Sequence, residues 1–104
     1  KIAIKDRGET TLVASTDIAW IEAAGDYMCI HVDDEVHVLR STMKDLEAKL
    51  NPQKFQRVHR STIVNLEQID KVCTHINGEY YLILKGGSRI KMSRSYRDKI
   101  KHII

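Results

Sequence analysis

Phe55-Gln56-Arg57-Val58-His59-Arg60-Ser61-Thr62-Ile63-Val64-Asn65-Leu66-Glu67-Gln68-Ile69 is the stretch on which the fold turns. Apolar and polar side chains alternate at its start, Phe55 and Val58 stand as anchors, and the apolar pair Ile63-Val64 follows. This pattern predicts a strand that enters a core, breaks outward at His59-Arg60-Ser61 and re-enters as a second strand. The break gathers two guanidiniums, an imidazole and two hydroxyls (Ser61, Thr62), and no acidic residue stands between Phe55 and Leu66. Such uncompensated charge repels itself unless an anion meets it. A solvated turn with ordinary surface arginines is the plain alternative, since a short basic cluster is a weak sign of nucleic acid on its own.

Downstream, residues 69–75 and 79–84 are rich in Val, Ile and Tyr and join through Asn77-Gly78, the strongest short hairpin signal a sequence offers. Gly86-Gly87 makes a second tight turn into Arg89-Ile90-Lys91-Met92, a strand with its basic residues on one face. Ser93 or Ser95 can cap a terminal helix in which Tyr96, Ile100 and Ile103 recur at helical spacing. Upstream, the period changes over residues 40–50. Met43, Leu46, Glu47 and Leu50 fall on one helical stripe, Ser41 or Thr42 offers an N-cap, Asp45 completes a capping box from Thr42, and Asn51-Pro52 ends the helix.

Earlier still, residues 1–5 and 10–14 read as two strands across the turn Asp6-Arg7-Gly8. Ser15-Thr16-Asp17 caps a short helical turn that leads to Ile18-Ala19-Trp20-Ile21. After the turn Gly25-Asp26, residues 27–32 form a strand, and residues 35–39 return from Asp33-Asp34 as a hairpin. The expected fold is therefore mainly β: many short antiparallel strands with two short helices.

A chain of 104 residues makes one domain with a modest core, residues 1–104 throughout. Apolar residues at 42% and charged residues at 30% are ordinary for a folded domain. No apolar run approaches the roughly 18 residues that would span a bilayer, and no signal peptide is visible. The chain opens on Lys1 and reads as a fragment of a longer protein. Cys29 and Cys73 sit in strand-like contexts and read as reduced thiols of a cytoplasmic protein. Charge is unevenly spread. Residues 1–52 hold 6 Lys/Arg against 10 Asp/Glu, whereas residues 53–104 hold 11 against 4. This asymmetry predicts one positive face and a polyanionic partner, with a coincidence of solvated surfaces as the alternative.

The residues carry little catalytic chemistry. Ser61 near His59 is the suggestive nucleophile–base pair, but no glycine-rich elbow surrounds it and no local carboxylate orients the histidine. Cys29, His31 and His37 lie on one expected hairpin without the paired-cysteine spacing of a structural zinc site. Neither an enzyme nor a cofactor is implied. The nucleic-acid candidates are three surface breaks, residues 25–28, 57–62 and 93–97. In the last, Arg94 and Arg97 supply guanidiniums, Ser93 and Ser95 hydroxyls, and Tyr96 a phenol, at what is expected to be a helix start.

Three pieces of the chain together resemble the LytTR-type DNA-binding domain, the output domain of many bacterial response regulators: Ile18 through Asp26-Tyr27, Phe55 through Leu66, and Gly86 through Met92 leading into Ser93-Arg94-Ser95-Tyr96. The resemblance implies an elongated sandwich of small antiparallel sheets with two short flanking helices. It also implies double-stranded DNA read by loops instead of a recognition helix, usually at paired repeats, so that two copies sit on DNA. Carried over residue by residue, it assigns DNA contact to Asp26, Tyr27 and Met28, to Arg57, His59, Arg60 and Ser61, and to Lys91, Ser93, Arg94, Ser95 and Arg97. Met28 would meet a base only by apolar contact, for example with a thymine methyl. A protein-interaction domain using the basic face for an acidic partner is the main rival, and competition by duplex DNA separates the two. A metal-dependent enzyme on Cys29, His31 and His37 would carry metal when purified, and an RNA-binding module would want more exposed aromatics than six Phe, Trp and Tyr allow.

Overall fold

The computed structural model describes residues 1–74 and 79–103. The expected turn at Asn77-Gly78, and the end of the strand before it at His75, lie outside the described residues. Among the described residues, ten strands fall into three antiparallel sheets. A hairpin of β1 (Ile2–Asp6) and β2 (Glu9–Val13) stands alone. The central sheet has the order β5-β4-β3-β7-β6, built from β3 (Trp20–Ala24), β4 (Tyr27–Val32), β5 (Glu35–Arg40), β6 (Phe55–His59) and β7 (Thr62–Asn65). The third sheet has the order β10-β9-β8, from β8 (Ile69–Thr74), β9 (Tyr80–Leu84) and β10 (Arg89–Met92). The whole is elongated, 48 × 23 × 21 Å.

The inner strands β3 and β7 of the central sheet are covered on both faces, which explains the paired apolar residues of the opening stretch. Successive strand residues point to opposite sides. Ile63 therefore joins Ile21, Ile30, Phe55 and Met28 in one core, which the β1–β2 hairpin and α1 (Met43–Glu47) complete with Ile2, Ile4, Met43 and Leu46. Val64 points the other way and packs with Val58, Leu82, Leu84, Ile90, Met92 and Ile100 in a second core beneath the three-stranded sheet. Strand register runs straight across the first face, with Ile30 opposite Ile21 and Ile21 opposite Ile63. Asn65 is buried at the seam. Its Nδ2 donates to the Ile18 carbonyl at 2.8 Å while its Oδ1 accepts the Glu67 N–H at 3.0 Å.

The helices differ in part from the expectation. Thr42, and not Ser41, caps α1, its Oγ1 accepting the Asp45 N–H at 3.1 Å. The helix stops at Glu47 instead of at Asn51-Pro52, although Leu50 beyond it still reaches the core. Asn51 closes the following turn on itself, its Oδ1 accepting from Gln53 N–H. The terminal segment Arg94–Ile103 is wound as a 3-10 helix instead of an α-helix. Ile100 is its fully buried anchor and half-buried Tyr96 packs against the second core, while Ile103 stays 42% exposed, so the expected stripe holds at two positions and fails at the third. No helix among the described residues is long and apolar enough to cross a membrane.

Candidate nucleic-acid interface

Backbone hydrogen bonds tie the three candidate breaks together at one end of the central sheet. The β3–β4 turn is Gly25-Asp26, where Gly25 takes φ 62°, a conformation that glycine adopts without the clash a Cβ brings. Just before it, the Ala23 N–H donates to the Ser61 carbonyl at 2.9 Å and so fixes the β6–β7 turn beside the β3–β4 turn. The Ser93 N–H donates to the Val58 carbonyl, also at 2.9 Å, and brings in the third segment. The 3-10 helix that follows packs against β6. His59, Lys91, Ser93 and Arg94 line one shallow cleft there, and His59, Ser61, Arg89 and Lys91 share its neighbour.

A register shift between Arg57 and His59 decides how the middle segment is used. A bulge places an extra residue in one strand and re-aims its side chains. Val58 drops into the second core, and His59 pairs opposite Thr62 on that same side. The His59 Nδ1 accepts the Ser61 N–H at 3.2 Å and lies 2.9 Å from the Ser61 Oγ. A backbone N–H can only donate, so Nδ1 is the acceptor and the neutral ring carries its proton on Nε2. That proton can serve an incoming phosphate or base oxygen. The Ser61–His59 pair does meet, as residues two apart can, but its ring nitrogen is already engaged by the backbone. The histidines paired with carboxylates among the described residues are His31, with Glu22 at 3.2 Å, and His37, with Glu35 at 3.3 Å.

Two of the residues assigned to DNA face elsewhere. Met28 is 3% exposed, because the strand begins at Tyr27 and alternation sends its second side chain inward, opposite Ala23 and Leu39. It cannot touch a thymine methyl without leaving the core, and Asp26 and Tyr27, both exposed, are what this turn presents. Arg57 lies on the side of Ile63, away from His59. Its guanidinium donates to the Arg60 carbonyl and lies 3.8 Å from the Glu47 carboxylate, and its Nε is buried. Arg57 is thus a positioning residue that holds the backbone of exposed Arg60 from behind. Arg57→Ala is expected to weaken duplex binding severalfold while leaving the salt slope unchanged, since no phosphate partner is lost. It should also lower stability by about 1 kcal/mol through loss of the hydrogen bond to the Arg60 carbonyl. Duplex titrations at several salt concentrations and a urea melt check both.

Lys91, Arg94, Ser95 and Arg97 are exposed and Ser93 is half-buried, with 3.0 Å between the Ser93 and Ser95 hydroxyls. Arg97 stands 5.7 Å from the Tyr80 ring. Arg89 belongs with this group and was not among the residues singled out from the sequence. Its guanidinium lies 3.9 Å over the Tyr81 ring, a contact that restrains it beside Lys91. The alternation of Arg89 and Lys91 with buried Ile90 and Met92 was the signal for it. The metal candidates do not converge. Cys29 and His31 pair with Val38 and Val36 on one face, whereas His37 pairs with Ile30 on the other. His31 instead stacks on Trp20, 4.0 Å between ring centroids.

Comparison with known proteins bears on the family and the fold. The chain is 32% identical over its whole length to the sensory transduction protein LytT of Bacillus anthracis, and 31% to that of Bacillus subtilis strain 168. It spans 42% and 43% of those proteins. It is 32% identical, over 69% of its length and 29% of the relative's, to the transcriptional regulatory protein LytR of Staphylococcus aureus. A solved structure described as the LytTr DNA-binding domain of a methyl-accepting/DNA response regulator from Bacillus cereus shares the fold. It superposes with a TM-score of 0.86 at 20% identity, covering 98% of this chain and 94% of that one. Residues 8–104 match the family model of the LytTr DNA-binding domain, and the chain belongs to that family.

Proposed function

We propose that this domain binds double-stranded DNA sequence-specifically as the cytoplasmic output domain of a two-component transcriptional regulator. The observation that carries the reading is the convergence of residues 25–27, 59–61 and 93–97, bound to one another through Ala23–Ser61 and Ser93–Val58 backbone hydrogen bonds. In this reading the turn at Asp26-Tyr27 and the segment of Ser93, Arg94, Ser95 and Arg97 enter successive major grooves. Arg60 lies at the intervening backbone or minor groove, with His59, Ser61 and Lys91 on phosphates. Arginine suits both tasks, forking onto guanine O6 and N7 or onto phosphate oxygens. Two copies on paired repeats complete the complex.

Selection of bound fragments from a random duplex pool is expected to return one repeated motif. Affinity for that motif should fall with salt at a log–log slope of about −5 if roughly five or six phosphates are neutralised. Binding that resists duplex competition, or a pool that returns no motif, would favour the acidic protein partner instead.

A further inference from the structure

β5 is the outer strand of the central sheet, and among the described residues no strand pairs with its far edge. Natural edge strands are usually shielded by lysine, proline or a bulge. Here β5 pairs with β4 over six residues without a register shift, and it presents Val36 and Val38, each 52% exposed. The Asp33-Asp34 turn closes the hairpin at the Val32–Glu35 pair. In an antiparallel ladder, hydrogen-bonded and non-bonded pairs alternate. Counting from that pair, Glu35, His37 and Leu39 spend their backbone groups on β4. Val36, Val38 and Arg40 turn theirs to the open edge. The Ala19 N–H donating to the His31 carbonyl fits this phase, since it points His31, the partner of Val36, toward β3.

The geometry points to a second copy of this chain as the occupant of that edge, its β5 antiparallel to this one about a twofold axis at His37. The sequence Asp34-Glu35-Val36-His37-Val38-Leu39-Arg40 is complementary to itself in this register. Val36 lies opposite the partner's Val38, both with backbone groups facing the seam, so each such pair exchanges two hydrogen bonds. Arg40 lies opposite the partner's Asp34, and the twofold repeats every contact. The four valines then form one apolar band on the face that carries Cys29 and His31, with a charge pair closing it at either end. The β5 strand ends at Arg40, opposite Tyr27 beside the β3–β4 turn. Antiparallel pairing therefore turns the two converged ends in opposite directions and leaves both open. The interface is short, so the dimer is weak and depends on concentration.

Sedimentation of the isolated chain without DNA tests this independently of any DNA reading. The expected result is reversible dimerisation that Val38→Lys weakens at least tenfold while leaving duplex binding unchanged. Asp34→Arg should weaken it likewise, and Asp34→Arg with Arg40→Asp should restore it. In a Cys29→Ser, Cys73→Ser background, His37→Cys should cross-link to itself across the axis under mild oxidation. Directly opposed non-bonded residues sit about 4.5 Å apart at Cα, within disulfide reach. A chain that stays monomeric to millimolar concentration overturns the proposal. So does a dimer indifferent to Val38→Lys, or His37→Cys that yields no covalent dimer.

Discussion

Arg60→Ala is expected to weaken binding to the selected duplex by roughly five- to 150-fold, the equivalent of about 1–3 kcal/mol for a guanidinium that reads a base. Arg60 is exposed at the tip of the β6–β7 turn, and its backbone is clamped by Arg57 and by the neighbouring Ala23–Ser61 bond. Its backbone is therefore fixed before DNA arrives, which reduces the ordering cost of contact. Because the side chain is outside both cores, stability should stay within about 0.5 kcal/mol of the parent. If Arg60 reads a base, random duplex should lose less affinity than the selected site. If it meets only phosphate, both should weaken alike and the salt slope should drop by about one. A titration that matches the parent on both duplexes would remove Arg60 from the interface.

Ile63→Ala should cost about 2–5 kcal/mol of folding stability, a large share of the 5–15 kcal/mol typical of a small domain. Ile63 is 1% exposed and touches the core that the β1–β2 hairpin and α1 close, so deletion leaves a cavity with little freedom to collapse. The urea midpoint should fall with the slope of the transition unchanged. A loss under about 1 kcal/mol would show that this face of β7 is not packed as described.

Much of the scaffold could be read from local chemistry. Turns at Gly25-Asp26, Asp33-Asp34 and Gly86-Gly87, the outward break at His59-Arg60-Ser61 and the Thr42 cap all depend on neighbours in sequence, and all stand where expected. What failed depended on partners far along the chain. Alternation alone shows that Tyr27 and Met28 oppose each other, yet only the pairing of Met28 with Ala23 and Leu39 shows which one is inside. The bulge after Arg57 reverses that residue's side relative to His59, and no residue type announces it. Ile63-Val64 reads in sequence only as an apolar pair, and in the fold its two side chains serve two cores. The terminal helix follows the same rule: its spacing was visible, but its 3-10 winding and the exposure of Ile103 were not.

Because β3 and β7 form the common wall between the two cores, neither half of the molecule has an interior of its own. Loosening either side strips one surface from the same strands, so unfolding should be a single event felt in both halves at once. The tips that meet at the end of that wall then share one fate. They are all in place or all lost, and no half-folded molecule can keep part of the grip.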